Sequence, residues 1–272
     1  MQRTFYQREA EIDPEEHVVG SYRYHENVPY ETNLLYLYGD IRRPIFPDMA
    51  DRAAFDIACG EGRMVRRMRR FFDRVDGADI SENMITLARA RTPGSEFWVT
   101  DGLNTGGAPS NSYDFCYCTI SMQHICVFET RDRILKDICR ILLPDGKITL
   151  QFLYSRDYPF LPISRPAPVS GTLGARVYKI DDHHAKWLDN KTDATSTNSG
   201  CDVVIGPQEL ELVHAYFREY FESVDFWFYD ISIARGGNGT ARILPDIHPN
   251  SHISDDYHGT HFVFIHCSGK KI

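Results

Sequence analysis

The chain is 272 residues long, 42% apolar and 25% charged, which is enough to bury the core of one embellished domain and unlike a fibrous or disordered polymer. Its formal charge of −8 repels polyanions on average, so nucleic acid is excluded as a partner unless a local basic patch opposes that field. No run is apolar over a membrane-spanning length, and the N-terminal MQRTFYQREAEIDPEEH has no signal-like apolar core, so a cytoplasmic protein without a membrane partner is expected. The seven cysteines are an odd number without a CxxC pair, which argues against a disulfide framework or a zinc cluster. Cys116 and Cys118 fall on one face of a strand and are expected to pack there as reduced thiols.

Residues 1–50 read as an N-terminal flank or lid, polar at first and then aromatic in YRYHENVPYETNLLYLYGDIRRPIF, with a short helix expected over 30–38 before Pro44 and Pro47. From Ala53 strands and helices alternate. AAFDIAC is a short apolar strand. GRMVRRMRRFF places Met64, Val65, Met68, Phe71 and Phe72 on one helical face, with the arginines expected on an exposed one. RVDGADI, then SENMITLARAR with Met84, Ile85, Leu87 and Ala88, then EFWVT and YDFCYCTI repeat the theme. A helix around 130–142 carries Ile134, Leu135, Ile138, Ile141 and Leu142; Leu-Pro-Asp-Gly at 143–146 is expected to end it, and KITLQFLY supplies the next strand. This alternation implies a parallel, doubly wound α/β sheet. Together, residues 51–154 form the cofactor-binding half of a core. Residues 155–206, proline-rich and then polar, break the rhythm and read as an insertion that caps a substrate. Residues 207–272 complete the same core with a helix starting at Gly206-Pro207 and two strands, SVDFWFYDIS and HFVFIHCS.

The stretch FDIACGEGR, 55–63, is a glycine-rich turn between the first strand and its helix, where backbone can approach a ligand without a Cβ in the way. In an open parallel sheet that ligand lies at the carboxyl ends of the strands. A dinucleotide fingerprint would need glycine where the chain has Val65, which counts against a nicotinamide oxidoreductase. Asp79 ends the second strand, where a carboxylate can accept both ribose hydroxyls, and Asp101 ends the third, where one can accept from an exocyclic adenine amine.

On FDIACGEG (55–62), VDGADIS (75–81), FWVTDGL (97–103), YDFCYCTISMQHI (113–125) and RILLPDGKITLQF (140–152), the chain resembles the class I S-adenosylmethionine-dependent methyltransferases. The resemblance covers about 50–154 and the last three elements. It implies a mostly parallel, seven-stranded, Rossmann-like sheet with a C-terminal antiparallel strand pair. It further implies S-adenosyl-L-methionine as cofactor. Ala58, Gly60 and Gly62 would lie under the methionine part, with Asp56 organising the loop. Asp79 would hold the ribose. Asp101, with Gly102 and Leu103, would hold the adenine, which Ile80 and Met84 border, and Thr119 and Ser121 would lie near the amino-acid end. At Ala58 the family commonly has glycine.

Methyl transfer from a sulfonium needs alignment and exclusion of water, and a base only if the acceptor must lose a proton. Candidate catalytic residues are His124, beyond the fourth strand, His183 beside His184 in the insertion, and Tyr24, which with Tyr22 and His25 can fold over the cofactor while Arg23 pairs with its carboxylate. His248, His252, His258 and His261 stand with Asp246, Asp255 and Asp256, but their spacing matches no standard ligand pattern, so no metal is expected. The expected activity is methylation of an oxygen or nitrogen on a small polar acceptor, such as a sugar or natural-product intermediate. The alternative is a degenerate methyltransferase fold that serves as a binding or partner subunit without turnover. Asp79→Ala is expected to abolish cofactor binding, and Gly106→Ala, in the loop after Asp101, to leave it near normal. Oligomeric state is not encoded in any of these motifs.

Overall fold

The computed structural model describes residue 11 and residues 30–125, 127–155, 189–191, 201–206, 209–229, 242–243 and 260–271. Its centre is an α/β sheet in which β1 (Ala53–Ile57) pairs in parallel with both β2 (Arg74–Asp79) and β4 (Tyr113–Cys118). β3 (Phe97–Val99) adds to β2, and β5 (Leu142–Ser155) to β4, again in parallel. Three short strands lie outside the seven-stranded core: β6 (Asp189–Lys191), β7 (Cys201–Ile205) and β9 (Arg242–Ile243). The core closes with β8 (Phe221–Tyr229) and β10 (Thr260–Lys270), and β10 runs antiparallel between β5 and β8. The core order is β3-β2-β1-β4-β5-β10-β8, a doubly wound sheet with an antiparallel C-terminal pair.

Side chains alternate across each strand, so the sheet has two buried faces. On one, Phe55, Cys116, Cys118, Ile148 and Leu150 pack under α4 (Phe128–Ile141) and α5 (Leu210–Tyr220), which contribute Ile134, Leu135, Ile138, Val213 and Phe217. The other face buries Phe115, Tyr117, Leu153, Phe264 and Trp227 under α1 (Tyr30–Leu35) and α2 (Arg63–Met68), while α3 (Glu82–Arg91) adds Ile85 and Ala88. Cys116 and Cys118 share the first face, and both thiols are free and buried.

Local chemistry sets the boundaries. Ser81 caps α3 by accepting from the Met84 amide at 3.3 Å. The expected helix over 30–38 stops at Leu35. A 3₁₀ turn at Leu37–Gly39 follows, ending at Gly39 with φ 63°, where a Cβ would stand 2.7 Å from the Trp227 ring, and Tyr36 bridges to Pro44. α4 ends at Ile141, and Leu142 is already extended, so Leu-Pro-Asp-Gly lies inside the span of β5 as a register shift between Tyr113 and Phe115 of β4. α5 begins at Leu210, later than Gly206-Pro207; the Glu209 amide first turns back onto the Gly206 carbonyl at 3.1 Å.

Candidate functional site

The loop after β1 is wound into left-handed backbone: φ is 58° at Ala58, 54° at Gly60 and 81° at Gly62. A Cβ on Gly60 would project into open space, whereas one on Gly62 would press on Thr92 Oγ1 at 3.2 Å and Ala88 Cβ at 3.3 Å. Gly60 therefore bares backbone to the pocket. Gly62 serves packing of the loop onto α3. Between them Glu61 is buried and accepts from Arg66 at 2.7 Å and Arg91 at 2.9 Å, which ties the loop to α2 and α3. Ala58 keeps the left-handed conformation with a Cβ in place, at a cost that glycine would not carry.

Asp79 ends β2 with both carboxylate oxygens aimed by backbone. Oδ2 accepts from the Gly60 amide and Oδ1 from the Ser81 amide, each at 2.9 Å. Each oxygen keeps a lone pair for a further donor. Burial raises its pKa although these amides pull the other way, so added hydroxyl donors would relieve an under-solvated charge. Asp56, two residues before the loop, is also buried; desolvation pushes its pKa well above the usual carboxylate range, with Arg63 opposing and Asp79 reinforcing.

Asp101 follows β3 and is exposed. Its Oδ1 accepts from the Leu103 amide and from Asn104 Nδ2, both at 2.9 Å, which folds 101–104 into a tight turn. Farther along the loop, Asp137 on α4 accepts from the Thr105 amide at 2.7 Å and the Thr105 hydroxyl at 2.6 Å. Gly106, at φ 70°, has Trp98 Cβ only 2.6 Å from where a Cβ would stand, so alanine there strains the loop, a cost in stability separate from the cofactor affinity expected to stay near normal. At the end of β4, Ile120 is held at φ 67°, unusual for a β-branched residue, and its amide donates to Gln151 Oε1 at 3.1 Å. That kink turns Thr119 and Ser121 toward the same space.

These elements enclose a pocket of about 440 Å³, a size that suits a nucleoside-sized ligand. Asp56, Ala58, Gly60, Asp79, Ile80, Met84, Asp101, Gly102, Leu103, Thr119 and Ser121 line it, as does His124, which lies in a 3₁₀ turn at Met122–His124 with Nε2 3.4 Å from Gln123 Nε2. Gly62 is not part of the wall. Tyr24 and His183 lie outside the described residues, as do Tyr22, Arg23, His25, His184, His248, His252 and His258. Among the described residues no group of three or more His, Cys, Asp or Glu side chains is placed to hold a metal ion, and no helix is long and apolar enough to cross a membrane.

The sequence reading missed Arg63, Asn104 and Thr105 on the wall and Gln151 behind it. The run RMVRRMRR predicts an exposed arginine face that includes Arg63. In the structure it is half-buried on the pocket wall, while Arg66 and Arg67 are half-buried against Glu61 and Glu31.

A sheet of this order, with a left-handed glycine loop after β1 and acidic residues at the ends of β2 and β3, has the fold seen in class I S-adenosylmethionine-dependent methyltransferases. Residues 55–150, β1 through most of β5, match the family model described as a methyltransferase domain. Comparison with curated proteins finds no sequence relative. Among solved structures, a SAM-dependent methyltransferase from Methanosarcina mazei is 19% identical with a TM-score of 0.51, covering 89% of this chain and 97% of that one. Phosphoethanolamine N-methyltransferase 1 from Haemonchus contortus is 14% identical with a TM-score of 0.55, covering 98% of this chain and 48% of that one. A Haloferax volcanii methyltransferase in complex with its Trm112 activator is 20% identical with a TM-score of 0.42, over 56% of this chain and 62% of the other. The chain thus spans about half to two thirds of two of these proteins. At such identities the two likenesses with TM-scores above 0.5 establish the fold alone.

Proposed function

We propose that the protein binds S-adenosylmethionine in this pocket and transfers its methyl group to an oxygen or nitrogen of a small polar acceptor, such as a sugar or a natural-product intermediate. The observation that carries the reading is Asp79. A buried carboxylate is aligned by the Gly60 and Ser81 amides, at the end of β2, between the glycine loop and the turn of Asp101. The residues fit the group: Gly60 presents backbone to open space, and Arg63 Nη1 is buried without a partner.

In this reading Asp79 accepts the ribose hydroxyls, Asp101 and the Gly102–Leu103 backbone meet the adenine edge, and Ile80 and Met84 cover its faces. Asp56, Ala58, Gly60, Thr119 and Ser121 surround the methionine end. When bound, the cofactor supplies an electrophilic methyl carbon. The protein's share is to fix that carbon in line with the acceptor atom and exclude water. In the same reading His124, which lines the pocket with Ser121 and Ile125, takes a proton from a hydroxyl acceptor. The segment 155–206 is proposed as the acceptor cap, since it leaves the core at the carboxyl end of β5. The acidic chain favours a compact, uncharged or cationic acceptor over a polyanion.

Calorimetric titration with S-adenosylmethionine and S-adenosylhomocysteine, with NADH as control, tests the reading. Micromolar binding of the sulfur nucleosides alone supports it. Binding of NADH alone, or of none, refutes it. Product detection as S-adenosylhomocysteine over a panel of sugars and small metabolites then separates turnover from a binding subunit.

A further inference from the structure

Glu209 stands immediately before α5 and is only 8% exposed. A carboxylate in that place ordinarily caps the helix by accepting from its first free amides. Here no amide of the first turn bonds the side chain, and Oε2 is buried without a hydrogen-bond partner among the described residues. Burial raises the pKa, the amides of Gly206 and of Glu209 itself oppose it, and no cation is among the groups that act on it. A second open acceptor lies on a neighbouring segment. Gln123, in the 3₁₀ turn at Met122–His124, is buried, and its Oε1 also lacks a partner. A carboxylate withdrawn from water without a counter-charge is costly to the fold and marks a place where a ligand can supply one.

The topology sets Glu209 at the carboxyl edge of the sheet. β7 runs parallel to β5, pairs Ile205 with Tyr154, and packs on the turn that carries Gln123 and His124. Helix contacts give its height. Phe128, at the start of α4, meets the Tyr216 ring at 5.2 Å, and the Tyr220 hydroxyl donates to Asp132 at 2.8 Å. Glu209 precedes Tyr216 by about two helical turns, so α5 begins roughly 10 Å beyond the start of α4. Met122, Ile134 and Leu210 share one buried cluster, and Ile134 and His124 line the cofactor pocket, whereas Glu209 and Gln123 do not. The two open acceptors therefore adjoin the β4–β5 side of that pocket without belonging to its wall. Their complement is a group with several donors and a positive charge, an ammonium; a hydroxyl supplies one donor and no charge. Resting on the methyltransferase reading above, we infer that Glu209, with Gln123, binds an ammonium group of the acceptor and so selects amines over neutral alcohols of the same shape. An ammonium has no free lone pair, so the anchored nitrogen positions the acceptor, and the methyl group goes to another oxygen or nitrogen of it.

The test uses methylammonium as the probe and methanol as its neutral counterpart, each added to the protein loaded with S-adenosylhomocysteine. The Glu209 carboxyl carbon is assigned in 13C spectra by its loss in Glu209→Gln, a variant that keeps the shape of the side chain and hence the fold. Methylammonium is expected to shift that resonance and the Gln123 side-chain amide saturably, with half-saturation at about 10–100 mM, as weak as a ligand of two heavy atoms must be. Methanol is expected to move neither, and in Glu209→Gln the Gln123 amide is expected to ignore methylammonium. An equal response to methanol, an unchanged Gln123 response in Glu209→Gln, or no response at all overturns the proposal. Calorimetry with S-adenosylhomocysteine alone keeps the two readings apart. Normal binding of it beside a silent Glu209 overturns this inference only, whereas a protein that does not bind it loses the cofactor reading and the acceptor role together.

Discussion

Ala58→Gly tests the backbone of the glycine loop. Ala58 lies at φ 58°, where an L-residue with a Cβ is disfavoured by about 1–2 kcal/mol. Glycine removes that strain but gains freedom in the unfolded chain, which costs about 0.4–1 kcal/mol. The difference predicts a gain of about 0.5–1 kcal/mol. For a chain of 272 residues, that is a rise in Tm of about 1–2 °C. Urea unfolding followed by circular dichroism measures the free energy, and the m value must stay unchanged for the comparison to hold. Affinity for S-adenosylhomocysteine should be equal or better, because the backbone at 58 already has the conformation glycine prefers. Ala58→Val gives the opposite control, since β-branching at positive φ adds to the strain. A loss of about 1 kcal/mol in Ala58→Gly, the ordinary penalty for glycine in a regular element, would refute the argument that Ala58 is held in a strained conformation.

Asp79→Ala removes the acceptor of the Gly60 and Ser81 amides as well as the proposed ribose partner; affinity for S-adenosylhomocysteine should fall by at least ~100-fold, as expected for two lost charge-assisted bonds, and calorimetry reads it. Gly106→Ala forces a Cβ to 2.6 Å from Trp98 Cβ at positive φ, so stability should drop by about 2–4 kcal/mol from strain and overpacking, seen in the same urea assay. His266 is buried, and desolvation lowers its pKa to about 3 from 6.5, while its Nδ1 meets Thr149 Oγ1 at 2.7 Å. Between those values only the unfolded chain takes the proton, so stability contributed by a neutral His266 is whole above pH 6.5 and is lost as pH falls toward 3. His266→Gln lacks that proton, and the free-energy gap between wild type and variant should shift by about 2 kcal/mol between pH 6.5 and 5. Asp56 and Asp79, held up by burial, push the opposite way, but equally in both proteins. A pH-independent gap would show that His266 is not held neutral.

Much of the fold could be read along the chain because each element states its own period. Cys116 and Cys118, and Ile148 and Leu150, recur at strand spacing, Ile134, Leu135 and Ile138 at helical spacing, and turn residues separate them. The order of Asp56, Asp79 and Asp101 at strand ends was also legible, since a parallel sheet carries successive strand ends to one edge. Element ends were less so: α5 starts later than Gly206-Pro207, and Leu-Pro-Asp-Gly lies within β5, because pairing with β4 decides those boundaries.

Tertiary structure alone decided what each residue at the site does. Gly60 and Gly62 are equivalent in the motif, yet one faces the pocket and the other packs on Ala88, because α3 crosses behind the loop. The arginines of α2 look alike in sequence, but Glu31 arrives from α1 and Glu61 and Arg91 from either side of the loop, leaving Arg63 alone facing the pocket. Gly106 looks like a free loop position until Trp98 is packed against it. Periodicity describes what one segment would bury, whereas the chemistry of a site depends on which charges distant segments bring to neutralise one another, and that is settled only when they pack.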